Sequence, residues 1–140
     1  MKKRLLGLDI GTKTIGIAVS DSRGKLASPV TTIHRQKLAK DIEALEKLIA
    51  EYKAEGLVLG LPLNMDGSEG PRCQSVRQFA KNIEPRIALP MVFWDERLST
   101  SAVEREMIAA DVSRAKRDKA IDKLAAAYIL QGYLDAQHDN

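Results

Sequence analysis

The chain has one cysteine among its 140 residues. Cys73 therefore has no partner for an internal disulfide, and a zinc site built on several thiolates is excluded. A reducing compartment is the natural setting for such a chain. Histidine is almost as scarce. His34 and His138 are the only two, one at the end of an expected strand and one in the tail, so a Ser/His/acid hydrolase is disfavoured. Aromatic residues make up 4%, too few for base stacking to be the main mode of nucleic-acid binding. No apolar stretch approaches the ~20 residues of a membrane span. Met1-Lys2-Lys3-Arg4 imitates the charged start of a signal peptide, but the apolar run behind it is broken at Asp9. Internal repeats, low-complexity tracts and linkers are missing as well. The expectation is one domain over residues 1–140, cytoplasmic and without a membrane partner.

What is present reads as an α/β chain. Residues 5–10 form a short apolar run with one acid inside it. After the turn Gly11-Thr12-Lys13, residues 14–20 carry Ile15, Ile17 and Val19 and predict a second strand. Asp21-Ser22-Arg23-Gly24 reads as a hairpin turn. Residues 26–33 predict a third strand, and Pro29 favours an edge position for it. Leu38, Ile42, Leu45, Leu48, Ile49 and Tyr52 share one helical face, with Gly56 as the stop signal. Residues 57–61 are continuously apolar, as in a parallel strand covered on both faces. A turn-rich loop follows over 63–71. Val76, Phe79, Ala80 and Ile83 mark a second helix, and 89–94 another strand. Ser101 and Glu104 have capping-box spacing for a further helix. Residues 111–118 are polar and basic without a clear period and read as a loop. A last helix is expected over 119–135, burying Ile121, Leu124, Ala125, Tyr128 and Leu134. Three antiparallel strands followed by two helix-linked parallel ones give a mixed sheet of five strands, with helices on both faces.

Three acids could carry chemistry. Asp9 interrupts an apolar strand, where a carboxylate is costly unless paired or metal-bound. The following Gly11-Thr12-Lys13-Thr14 looks like part of a P-loop, but counted from Gly7 that pattern needs glycine where Thr12 stands. Glu96 follows the last strand in Phe93-Trp94-Asp95-Glu96-Arg97. Open α/β sheets bind ligands at the carboxyl ends of their strands, although a surface Glu-Arg pair explains this segment equally well. Asp122 falls in the expected first turn of the last helix, where acids commonly stabilise the helix dipole. The Ala125-Ala126-Ala127 run beside it permits close helix-sheet packing. Hard divalent cations prefer oxygen ligands, and two such ions about 3.5–4 Å apart can stabilise the attacking and leaving oxygens of a phosphodiester.

The net charge of +3 permits a nucleic-acid partner without requiring one. Placement says more. Arg114, Lys116, Arg117 and Lys119 cluster just before Asp122. Lys13, Arg72, Arg77 and Arg97 flank the other acids or the central loop. They could neutralise phosphates, or simply form a solvated face.

Four blocks together resemble the YqgF/RuvX family of Holliday junction resolvases and pre-16S rRNA nucleases. They are Asp9-Ile10-Gly11-Thr12-Lys13 with Ile15-Gly16, Gly60-Leu61-Pro62-Leu63-Asn64-Met65-Asp66-Gly67, Asp95-Glu96-Arg97-Leu98-Ser99-Thr100, and Asp122-Lys123-Leu124-Ala125-Ala126. The resemblance spans nearly the whole chain. It implies an RNase H-like fold and a nuclease with Asp9, Glu96 and Asp122 as the catalytic carboxylates holding Mg2+ or Mn2+. It also implies nucleic-acid contacts from Lys13, Asn64, Arg72, Arg97, Arg114, Lys116 and Arg117. The expected partner is pre-rRNA, with ribosomal particles near it, and branched DNA is the competing substrate. Two other classes compete: a non-catalytic nucleic-acid or ribosome-binding factor, and an actin-like nucleotide-binding protein. The latter clamps nucleotide between two such domains, and this chain has the length of one.

Overall fold

A computed structural model describes residues 4–95 and 114–138, with side chains in the last helix from 122 to 137. Five strands and three helices are seen among these residues. They are β1 (Leu5–Ile10), β2 (Thr14–Ser20), β3 (Ala27–His34), α1 (Leu38–Tyr52), β4 (Gly56–Leu61), α2 (Pro71–Ile83), β5 (Met91–Asp95) and α3 (Arg114–His138). The sheet order is β3-β2-β1-β4-β5. The first three strands are antiparallel, and β4 and β5 join parallel to β1. This is the expected five-stranded mixed sheet. The helix expected from Ser101 lies outside the described residues.

The two faces of the sheet follow from alternation along each strand, since successive side chains point to opposite sides. On one face stand Leu6, Leu8, Ile10, Ile15, Ile17, Leu57, Leu59 and Leu61, all buried. They meet Ile42 and Leu45 of α1 and Cys73, Val76, Phe79 and Ile83 of α2. Each such fully buried aliphatic contributes about 1.5–3 kcal/mol of transfer free energy. The other face carries Gly7 and Asp9 on β1, Thr14, Gly16, Ala18 and Ser20 on β2, and Gly56, Val58 and Gly60 on β4. α3 covers that face, with Ala126, Ala127, Ile129, Leu130 and Leu134 packed on Ala18 and Val58.

Small residues let α3 come close. A Cβ on Gly7 would stand 2.7 Å from the Leu130 Cβ and 2.9 Å from the Ala126 carbonyl oxygen. On Gly16 it would run into the Asp122 carbonyl. α3 thus runs from Gly16 toward Gly7, opposite to β1. Its far end is tied down by Gln131. The side-chain Nε2 donates to the Lys25 carbonyl at 2.8 Å, while Oε1 accepts the Ala27 N–H at 2.9 Å.

Several boundaries differ from expectation. α3 begins at Arg114, so Arg114, Lys116 and Arg117 are helical rather than in a loop. Asp122 then lies two turns inside the helix, and a dipole acid in the first turn is no longer its explanation. Of the buried positions expected in α3, Ala125 and Leu134 are buried, Leu124 and Tyr128 are only half-buried, and the Ile121 side chain lies outside the described residues; Ala126, Ile129 and Leu130 are buried in addition. A broad run of small apolar residues hid the face that a 3.6-residue period would mark. α1 stops at Tyr52 with Lys53 in the left-handed region at φ 53°, and Gly56 opens β4 instead of closing the helix. β3 starts at Ala27, leaving Leu26 exposed. It is an edge strand, as Pro29 suggested, with a register shift opposite Ile17 and Ala18. No described helix is long and apolar enough to cross a membrane.

Candidate active site at the carboxyl edge of the sheet

β1, β4 and β5 are parallel, so the turn after β1, the loop after β4 and the end of β5 leave the sheet at one edge. Asp9 is the fifth residue of β1 and pairs with Gly16 of β2. Paired residues in antiparallel strands put their side chains on the same face, with Cα atoms about 4.5–5.5 Å apart. Asp9 therefore faces α3, as Gly7 does two residues earlier. The Asp122 carbonyl lies directly over Gly16. Two of the three expected acids thus stand on one face, Asp9 on β1 and Asp122 over the neighbouring strand β2. Both are half-buried.

The Asp122 side chain is also held. The Thr14 hydroxyl donates to Asp122 Oδ2 at 2.9 Å. Thr14 shares its face with Gly16, two residues along β2. Along the sequence Thr14 is the start of a strand and the end of the P-loop-like run Gly11-Thr12-Lys13-Thr14, and neither reading gives it a partner in the last helix. The signal was there in the alternate positions of β2, where Thr14, Gly16, Ala18 and Ser20 are all small. Such a row marks a surface against which a helix backbone can rest.

The turn after β1 is braced from the side. Arg35 Nη1 donates to the Gly11 carbonyl at 2.7 Å, and the Arg35 N–H donates to the Lys13 carbonyl at 2.9 Å. The guanidinium carbon sits 5.2 Å from the centre of the Phe79 ring. Arg35 Nε lies 3.8 Å from Oδ2 of the buried Asp41. Nothing in the sequence singled out Arg35, because its partners are scattered over the turn after β1, α1 and α2.

Lys13 is exposed in that turn, and Arg72 is exposed in the first turn of α2. Asn64 is exposed in the loop after β4, where its Nδ2 donates to Ser68 Oγ at 3.0 Å. That hydroxyl donates in turn to Asp66 Oδ1 at 2.6 Å. Gly67 closes the loop with φ 89°, a value that favours glycine. Arg77, which its position left open to phosphate or to solvent, is engaged within the fold. Its Nε and Nη2 donate to the two Glu69 oxygens at 2.8 and 2.7 Å, and its guanidinium stacks over Phe93. The arginine holds the Glu69 carboxyl below the usual carboxylate range, chiefly through that hydrogen-bonded pair. This pair ties the loop to α2.

At the end of β5, Trp94 meets Tyr133 of α3 edge to face, ring centres 5.8 Å apart. Such a pair contributes about 0.5–1.5 kcal/mol beyond its buried area. Glu96 and Arg97 follow Asp95 and lie outside the described residues. Among the described residues, no group of three or more His, Cys, Asp or Glu side chains converges as a metal site. The described pair of acids supplies oxygen donors, the type that hard divalent cations prefer.

A five-stranded mixed sheet in the order β3-β2-β1-β4-β5, covered by helices, has the RNase H-like fold. The solved structures agree on the fold. Thermus thermophilus RuvC matches with a TM-score of 0.59 at 13% identity, over 97% of this chain and 96% of that one. The yeast mitochondrial Holliday junction resolvase Ydc2 matches with a TM-score of 0.58 at 12% identity, over 97% and 79%. The chain belongs to the RuvX family, whose model, described as a Holliday junction resolvase, matches residues 3–136. Two relatives, both named "Putative pre-16S rRNA nuclease", are much nearer in sequence. That of Zymomonas mobilis is 56% identical over 96% of this chain and 82% of its own length. That of Rhodopseudomonas palustris strain TIE-1 is 63% identical over 94% and 82%. Enzymes of this class hydrolyse phosphodiester bonds and use divalent metal ions.

Proposed function

We propose that the chain is a metal-dependent nuclease that processes the 5′ end of precursor 16S rRNA, with Asp9, Glu96 and Asp122 as its metal-binding carboxylates. The observation that carries this reading is that Asp9, paired with Gly16, and Asp122, whose carbonyl lies over Gly16, stand on one face at the carboxyl edge although 113 positions apart. When bound, Mg2+ or Mn2+ would polarise the phosphodiester and lower the pKa of the attacking water. The chain's own residues bind and orient. Asp9 is fixed by the strand, and Asp122 by the contact of α3 with Gly16. The Asp95-Glu96-Arg97 motif supports Glu96 as the third.

The basic residues suit a polyanion entering at the same edge. Lys13 and Arg72 stand on the turn after β1 and at the start of α2. Arg114, Lys116 and Arg117 occupy the helical turns before Asp122, the first of them about 12 Å back along the helix. Because α3 runs opposite to β1, those turns extend beyond the edge where the acids lie. With Arg97 they would neutralise successive phosphates, and Asn64 would meet the strand from the loop after β4. Precursor rRNA is preferred because relatives at 56% and 63% identity carry that name. Branched DNA is the alternative on the strength of the family description.

One preparation assayed on precursor 16S rRNA and on a four-way DNA junction with Mg2+ separates the two substrates. Cleavage of the RNA alone is expected, and EDTA should abolish it. Asp9→Asn should lower the rate by roughly 10²–10³, the range seen on losing one electrostatic partner of a transition state. Equal cleavage by both forms would remove the proposed site.

A further inference from the structure

We infer that Thr14 is a positioning residue that sets the carboxylate of Asp122 for a divalent cation. The inference rests on the proposed metal site and goes one residue beyond it. The main chain at Asp122 is packed closely on the sheet, its carbonyl over Gly16. The freedom that remains is in the side chain. An ionised carboxylate has only acceptors to offer, and the Thr14 hydroxyl supplies a donor to Oδ2 at 2.9 Å. That bond fixes the side-chain torsions and selects which oxygen stays available. Among the described residues Oδ2 is the oxygen engaged, on the face of the sheet that Asp9 shares, and Oδ1 is the oxygen this inference assigns to the cation.

The placement follows from the strand. Thr14 and Gly16 are two residues apart on β2 and share a face. The glycine lets the helix backbone down, and the hydroxyl meets the side chain that arrives with it. Threonine is β-branched and holds few rotamers, so the donor is preorganised before any ion binds. Partners of this kind typically change metal affinity by about 10–100-fold when removed.

The test measures Mn2+ binding to the metal-free full-length chain by electron paramagnetic resonance of the free ion, beside thermal unfolding of the same samples. Thr14→Val should weaken Mn2+ binding by about tenfold. Thr14→Ser, which keeps the hydroxyl, should stay near wild type. Thr14→Ala carries the same comparison if valine prevents folding. A merely structural role predicts the opposite pattern: lower thermal stability with unchanged Mn2+ affinity, and that result overturns the inference. Asp122→Asn is the control for the site itself. If it binds Mn2+ as well as wild type, the metal-site reading fails. If Asp122→Asn weakens binding while neither Thr14→Val nor Thr14→Ala does, only the role of Thr14 falls.

Discussion

The two faces of the sheet are built on opposite plans. One is thick, made of leucine and isoleucine from β1, β2 and β4 against the apolar sides of α1 and α2. The other is thin, with glycine, alanine, serine and threonine under α3. The thick face supplies most of the buried apolar area and hence most of the hydrophobic driving force. The thin face brings a helix backbone down onto strand backbone, and that closeness lets Asp122 arrive beside Asp9. A carboxylate on the thick face would be surrounded by hydrocarbon, and its charged form would be costly. Stability and chemistry are thus divided between two surfaces of one sheet.

That division can be broken at Gly16. A side chain there meets main chain, which cannot rotate away. Gly16→Val should cost about 4 kcal/mol, beyond the usual ~1–3 kcal/mol for overpacking because the obstacle is backbone. Whatever remains folded should lose cleavage, since Asp122 is pushed from Asp9. Chemical denaturation and the nuclease assay read the two effects. Retained activity at wild-type stability would show that α3 does not rest where it is seen.

The thick face should fail differently. Leu45 is fully buried in α1, and Leu45→Ala should destabilise by about 2–5 kcal/mol through lost transfer energy and a cavity. Below its melting transition, the activity of the folded fraction should match wild type. A large loss of activity at full folding would mean that the two faces are coupled.

The smallest effect is expected away from both faces, at the Glu69–Arg77 pair. Arg77 lowers the Glu69 carboxyl pKa from its ordinary 4.5. A folded-state value below the unfolded one gives stability that is full above about 4.5 and disappears as pH falls through the folded value. Glu69→Gln should therefore melt slightly below wild type at neutral pH and alongside it in strong acid. A difference that persisted or grew in acid would contradict the assignment. The pair is exposed, so salt should shrink the difference as well.

Much of the fold was legible from period alone. The apolar alternation of β2, the continuous run of β4 and the spacing of Ile42, Leu45 and Ile49 each specify an element, because burial on one side imposes the spacing. Pro29 marked an edge strand, since it cannot donate to a second neighbour. The last helix was read too short. Its first turns are charged and have no apolar face, so periodicity had nothing to register there. By its charge Arg77 could have met phosphate or solvent, whereas its geometry commits it to Glu69. Glu96 and Arg97 rest on their motif.

From the sequence alone came the residue types of the site, the elements that carry them and the family those blocks resemble, because local spacing and residue chemistry are written along the chain. Tertiary structure decided which residues share a surface. Asp9 and Asp122 meet only because Gly16 lets α3 touch the sheet, and Thr14 reaches Asp122 only across that contact. Such proximity depends on how closely two backbones pack, a distance set by side chains that are small or missing at positions far apart in the chain.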